Sequence, residues 1–283
     1  MKKKCIAVEI KRAAKNVRKQ APLAGSITNS VTIDFVANAQ LAVGGSAACV
    51  YMPDEAEAIV AAGGALYINL GTLMPIYEQT IPCAAKAACN AGKPWVLDPV
   101  ALGIGSLRTK LMLEIAEYNP AIIRGNASEI IALAKLWGVH DGSASEKTQA
   151  KGVDNMAATT AALPAAVALA QKTGGAVAVS GEVDIVTDGK LVACSEGGSS
   201  LMTRVTGTGC SLGGVCAVYA AVSEPFTAAL AAVNHYNLAG HLAAKNLKTG
   251  ASGPGSFKVN FLDALYNASP KQIAKNKFSL KSV

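Results

Sequence analysis

The stretch AIIRGNASEIIALAKLW, residues 121–137, changes period in its middle. Ala121–Asn126 is a short apolar run ending in small and polar residues, as expected of a strand covered on both faces. Asn126 is followed three positions on by Glu129 and then by apolar residues at helical spacing, which predicts a helix over Ala127–Trp137. A strand feeding directly into a helix is half of a crossover unit, and the rest of the chain repeats it. ALYINLG (Ala65–Gly71), WVLDPV (Trp95–Val100) and AVAVSGE (Ala176–Glu182) are further buried-strand candidates. Between them, Pro53-Asp54-Glu55 opens one helix with acids where the helix dipole favours them. Met74–Ala91, Ser106–Tyr118 and Asp154–Lys172 read as others. DIVTDGKLVAC (Asp184–Cys194) is a hairpin signal about Asp188-Gly189. After Thr208 the chain reads as mostly helical to Tyr266. The expected fold is a single α/β domain in three layers, a mostly parallel sheet with helices on both faces. In such sheets ligands sit outside the carboxyl ends of the strands. The residues ending the runs, Asn69, Asp98, Arg124, Asn126, Ser180 and Glu182, should therefore share one rim.

Composition supports a large core, with 51% hydrophobic and 16% charged residues in 283. The net charge of +7 comes from the first twenty residues, which carry Lys2, Lys3, Lys4, Lys11, Arg12, Lys15, Arg18 and Lys19 against Glu9. Without them acids and bases balance, so no basic stripe suggests a nucleic-acid partner, and a solvated terminal helix or tail is the simpler reading. The expected layout is a basic N-terminal segment at 1–20, the domain at 21–270 and a basic C-terminal tail at 271–283. Lys135–Lys151 reads as a polar surface loop. Seven cysteines without a CxxC pair suggest reduced thiols in a cytoplasm. No apolar run follows MKKKC to make a signal peptide. The most apolar stretch, Gly213–Val233, is broken by Glu224-Pro225 and reads as two buried helices, not a membrane span.

Three fragments carry candidate chemistry. VTGTGCSLGG (Val205–Gly214) places Gly207 and Gly209 before a helix start, where exposed amides and the dipole could hold phosphate oxygens beside Cys210. It is neither a Walker A loop nor a GxGxxG fingerprint, and alone it is better read as a packing turn. RGNASE (Arg124–Glu129) offers an arginine for phosphate and a carboxylate for Mg²⁺, or else an ordinary capping box. LDPV ends a strand on Asp98, a residue often structural before proline. Together they supply what phosphoryl transfer from a nucleotide requires. His235 and His241 fall on different helix faces and do not suggest zinc.

The set resembles the ribokinase-like superfamily, and within it the hydroxyethylthiazole kinases. The resemblance runs from Pro22 onward through PLAGSITNSVTIDFVAN, LDPVALG, RGNASEI, SGEVDIVTDG, VTGTGCSLGG and GPGSFKVNFLDALY. It implies ATP- and Mg²⁺-dependent phosphorylation of the primary hydroxyl of hydroxyethyl-methylthiazole, for thiamine salvage. By position it implies Cys210 as the catalytic residue beside that hydroxyl. Gly207 and Cys49 match substrate-contacting positions, Arg124 and Ser180 nucleotide-binding positions, and Asp98 and Glu129 the acids near metal and phosphates. It also implies a homotrimer with sites between subunits, the Asn29–Cys49 region meeting the thiazole. Gly25-Ser26, Asp34 and Cys49 depart from the family pattern on the expected substrate side. A kinase of a pyrimidine or pyridine alcohol is the alternative. An ATP-dependent nicotinamide-nucleotide hydrate dehydratase, or an inactive thiazole-binding protein, fits less well. The helix start is expected to lower the Cys210 pKa and allow modest proton acceptance, with covalent thiophosphate chemistry unnecessary.

Overall fold

The computed structural model describes residues 3–140, 159–248 and 250–283. Most of the expected loop Lys135–Lys151 and the start of the expected helix Asp154–Lys172 lie outside the described residues. The chain runs α1 (Lys3–Gln20), β1 (Leu23–Ile27), α2 (Ile33–Ala42), β2 (Ser46–Cys49), α3 (Pro53–Ala62) and β3 (Ala65–Asn69). It continues α4 (Tyr77–Asn90), β4 (Trp95–Asp98), α5 (Ser106–Glu114), a 3-10 turn, β5 (Ile122–Asn126) and α6 (Ala127–Leu136). Then come α7 (Leu163–Thr173), β6 (Ala176–Ser180), β7 (Asp184–Thr187), β8 (Leu191–Ser195), α8 (Thr208–Ala220) and α9 (Pro225–Lys245). The chain closes with α10 (Pro254–Asn267), α11 (Pro270–Lys275) and β9 (Phe278–Ser282).

One nine-stranded sheet has the order β2-β1-β3-β4-β5-β6-β7-β8-β9. β1 to β6 pair in parallel, and β7, β8 and β9 extend the sheet by antiparallel pairing. The expected hairpin is the β7–β8 pair. Alternate strand residues feed two cores on opposite faces, which makes three layers. Tyr67, Val96, Ile122, Ala178 and Val186 pack under α1, α2, α8, α9 and α10. Ile68, Leu97, Ile123, Val177 and Ile185 pack under α3 to α7. The period of two then decides the site: Asn69, Asp98, Arg124, Ser180 and Asp184 lie two residues from Tyr67, Val96, Ile122, Ala178 and Val186, so all five face α8 and α9.

The basic ends differ from solvated appendages. α1 buries Ile6, Ile10, Ala13, Ala14 and Val17 along one stripe, leaving its lysines outside. Its Arg18 donates to the carbonyls of Tyr266 and Ala268 at 2.7 Å, satisfying acceptors at the end of α10. Residues 271–283, expected as a tail, supply most of α11 and the edge strand β9, because Phe278 packs into the core while Lys281 stays outside. No helix among the described residues is long and apolar enough to cross a membrane.

His235 lies fully buried in α9 between Tyr219 Oη, 2.9 Å from Nδ1, and the Leu265 carbonyl, 2.8 Å from Nε2. A carbonyl only accepts, so Nε2 donates and Nδ1 accepts from the tyrosine; the ring is neutral. Burial pushes its pKa down to about 4. A base with a lowered folded pKa supports the native state above its unfolded value of about 6.5 and loses that support as pH falls through 4. The stability advantage of the wild type over His235→Gln is therefore expected to shrink by ~3 kcal/mol between pH 7 and pH 4. Denaturant titrations of both proteins at several pH values measure it; a constant difference would rule out the neutral buried ring.

Candidate active site

The polar rim forms at the carboxyl ends of β3 to β6, beneath the start of α8. Register puts Asn69 beside Asp98. Asp98 and Arg124 each stand one position beyond the last paired residues of β4 and β5, Leu97 and Ile123. Asp98 is completely buried, and its Oδ2 accepts from Tyr67 Oη at 3.0 Å, Asn69 Nδ2 at 3.2 Å and Arg124 Nη1 at 3.3 Å. Its Oδ1 accepts no hydrogen bond among the described residues. Burial raises the Asp98 pKa to about 6, assisted by the Glu129 charge and opposed by Arg124 and Tyr67. The second nitrogen of Arg124, Nη2, donates to Ser180 Oγ at 3.0 Å.

α8 closes this floor from above. Gly207 sits at φ +87°, ψ 0°, a left-handed conformation that turns the chain sharply into the helix. No side chain caps α8. The amides of Gly209 and Cys210 find no acceptor among the described residues, so they remain available to an anion. A Cβ on Gly209 would lie 2.7 Å from both Arg124 Nη atoms, which places the guanidinium directly against this backbone. Amides and arginine thus converge on one small volume.

The Cys210 thiol takes Asn29 Nδ2 at 3.5 Å, and that amide also donates to Asn69 Oδ1 at 2.9 Å. Asn29 follows β1 and Asn69 ends β3; these neighbouring strands leave in opposite directions along the sheet, the switch point where such folds bind ligands. The expected lowering of the thiol pKa does not occur. Burial, then the Asp98 carboxylate, raise it and outweigh Arg124 and the nearby hydrogen-bond donors. Cys210 is a neutral thiol near pH 7.

Glu129 does form the capping box with Asn126: Oε2 accepts the Asn126 amide at 2.9 Å while Asn126 Oδ1 accepts the Glu129 amide at 2.9 Å. Its other oxygen accepts the Ala101 amide at 3.1 Å, tying the loop after Asp98 to α6. Capping and proximity to Asp98 are therefore compatible in one residue. Glu182 and Asn126 are exposed at the rim. Arg204 is exposed, as is His241.

Other expectations shift. Cys49 is half-buried on the edge strand β2, with β1 and β3 between it and the strand of Asp98. Gly25 does not line a pocket, since a Cβ there would meet Ile59 Cγ2 at 2.0 Å; it is small so that α3 can pack on β1. Ser26 is buried and donates to Gln40 Oε1 at 3.2 Å, and Asp34 is exposed and bonded to Asn38. Of these departures from the family pattern, Gly25 and Ser26 answer internal packing. Sequence reading passed over Tyr67 and named Asn29 and Thr32 only as part of the Asn29–Cys49 region. The tyrosine lies in an ordinary strand, and only the period of two, with Asp98's, could have put both under one helix.

Beside Arg124 opens a cleft of about 710 Å³ lined by Ser180, Asp184, Thr208, Gly209, Met202 and Asn237 among others. Its size suits a nucleotide.

A parallel sheet with its ligand groups gathered under one glycine-opened helix is the architecture of the ribokinase-like kinases. The pyridoxal kinase of Staphylococcus aureus, solved with ADP, shares this fold with a TM-score of 0.59 at 14% identity, over 92% of this chain and 98% of that one. The model of the Hydroxyethylthiazole kinase family matches residues 14–271, and the chain belongs to that family. It is 48% identical to the hydroxyethylthiazole kinase of Bifidobacterium longum subsp. infantis, over 94% of this chain and 88% of that one. The hydroxyethylthiazole kinase structure from Pyrococcus horikoshii OT3 superposes with a TM-score of 0.80 at 31% identity, covering 97% and 98% of the two chains.

Proposed function

We propose that this chain transfers the γ-phosphoryl group of ATP to the primary hydroxyl of hydroxyethyl-methylthiazole, yielding the thiazole phosphate for thiamine salvage. The observation that carries the reading is the Arg124 guanidinium held against the open amides of Gly209 and Cys210. The cleft takes the nucleotide, with Arg124 and Ser180 at its phosphate end. The Gly207–Cys210 turn receives the migrating phosphoryl group, whose charge is met by fixed dipoles that need no reorganisation. Asn29 and Cys210 face the acceptor hydroxyl from the switch point. As a neutral thiol, Cys210 orients the alcohol but keeps its own proton; the hydroxyl proton passes to a phosphate oxygen as the new oxygen–phosphorus bond forms and the bond to ADP breaks.

Asp98 and Glu129 fit a magnesium ion. Among the described residues Oδ1 of Asp98 is a buried acceptor without a donor, and Glu129 keeps lone pairs beyond its two amide contacts. Magnesium is commonly held by one or two carboxylates together with phosphates. Held by these two residues, a magnesium ion would supply positive charge against the phosphates.

Cys49 lies on a half-exposed sheet edge, so a homotrimer in which β2 meets a neighbouring subunit's rim would complete the thiazole pocket; native mass spectrometry reads the stoichiometry. Seven unpaired cysteines and the use of ATP support a cytoplasmic setting.

Incubation with ATP, Mg²⁺ and a panel of thiazole, pyrimidine and pyridine alcohols tests substrate and reaction together; absence of a thiazole phosphate would end this reading. Cys210→Ala is expected to lower kcat by ~10- to 100-fold while leaving ADP affinity within a factor of about two, as for a group that positions the acceptor hydroxyl. Unchanged kcat would remove any chemical role for the thiol.

A further inference from the structure

We propose that Asn237 selects the base of the phosphoryl donor: its side-chain oxygen accepts from an exocyclic amino group, favouring adenine and disfavouring a base with an oxo group at that position. The inference rests on the reading of the cleft as the nucleotide site.

Asn237 stands midway along α9, 5% exposed, in the cleft wall. Its Nδ2 donates to Asp184 Oδ2 at 3.0 Å and to Ser195 Oγ at 3.0 Å. An ionised carboxylate accepts but never donates, so the amide is fixed with nitrogen towards Asp184 and oxygen turned away. Ser195 in turn donates its own proton to Asn234 Oδ1 at 2.8 Å, leaving it as an acceptor for Asn237. Oδ1 of Asn237 is thereby locked in place and accepts no hydrogen bond among the described residues.

Neighbouring groups shape what reaches it. Gly198 packs so closely that a Cβ there would stand 3.3 Å from Oδ1 and 3.1 Å from Met202 Sδ. Gly198 and Met202 line the same cleft as Asn237, so bare backbone and a thioether flank the amide oxygen. Along the sheet, the partners of Asn237 lie on β7 and β8, while Arg124 lies on β5. Two to three strand spacings, ~10–14 Å, separate the two ends, which matches the reach from a nucleotide's terminal phosphates to its base. An adenine amino group can donate to Oδ1. The oxo group of hypoxanthine presents a second acceptor and leaves both oxygens unpaired, which disfavours that base about ten- to a hundredfold.

Titration calorimetry of the full chain with ADP and with IDP decides the matter without any acceptor alcohol. The wild type is expected to bind ADP about ten- to a hundredfold more tightly. Asn237→Ala should weaken ADP and leave IDP nearly unchanged, so that the preference collapses. Asn237→Ser, with thermal melting of both variants, guards against a folding defect in the first. Equal affinities in the wild type, or a preference surviving in both folded variants, would overturn the proposal alone. Failure of both nucleotides to bind would overturn it together with the reading of the cleft. A lack of thiazole phosphorylation despite selective ADP binding would instead refute the acceptor assignment and leave the role of Asn237 standing.

Discussion

Arg124→Ala is expected to lower kcat/KM for thiazole phosphorylation by about a thousandfold, equivalent to ~4 kcal/mol of transition-state stabilisation. The side chain is 8% exposed and lies against the Gly209 backbone, so phosphate oxygens at the proposed site would meet it in a water-poor place where one fixed cation counts heavily. Arg124→Lys should recover only part of the loss, because an ammonium supplies a charge without reaching Asp98 and Ser180 together. The alanine variant also leaves Asp98 without its cation, and the stability cost is bounded by protonation. With a pKa already at about 6, the carboxyl takes up a proton near neutrality at a cost of ~1.4 kcal/mol per pH unit. An acid whose folded pKa is raised supports the native state at low pH and loses that support as pH rises through the folded value. The destabilisation of Arg124→Ala should therefore be greater at pH 8 than at pH 6. Steady-state kinetics and melting curves at both values measure the two effects; a loss of less than tenfold in kcat/KM would remove Arg124 from the phosphate site.

Gly207→Ala should be the second most damaging exchange, with kcat/KM down about a hundredfold and stability down by ~2–3 kcal/mol. Two separate costs act at this residue. A φ of +87° is disfavoured for any side chain by ~1–2 kcal/mol. The added methyl would also lie 2.8 Å from Thr32 Cγ2 and 2.9 Å from its Cβ. Thr32 is held in turn, its amide donating to Asn29 Oδ1 at 3.1 Å, so relief of the overlap moves either the helix entrance or the Asn29 turn. Both belong to the proposed acceptor site, and the expected signature is a raised KM for the alcohol with a lowered kcat. Adding Thr32→Ala should return only a little of the stability and little of the activity, since it removes the clash with Cγ2 but leaves Cβ at 2.9 Å and the backbone strain. Full activity in Gly207→Ala would show that this turn does not hold the transferring group.

How much of this was legible beforehand depends on the range of the cause. The capping box of Asn126 and Glu129 is a contact three residues long, and the spacing alone announced it. The hairpin about Gly189 and the helix opened by Pro53 are likewise local. The convergence of Asn69, Asp98, Arg124 and Ser180 followed from a parallel topology, because strand ends in such a sheet all face one rim. The pKa of Cys210 was misjudged for the opposite reason. The helix start is local and visible, whereas burial and the nearby Asp98 carboxylate arise from distant parts of the chain.

By itself the sequence determined the alternation of strand and helix, the sheet's parallel body and the identity of the groups on its rim, since hydrophobic period, turn chemistry and strand polarity are written along the chain. Tertiary structure alone decided which of those groups touch. Tyr67 reaches Asp98 because both lie under α8, Gly25 is small because α3 rests on it, and residues 278–282 become a strand because β8 offers an open edge. Such contacts join residues many tens of positions apart, where no local period or propensity carries a signal, and only packing fixes their distance.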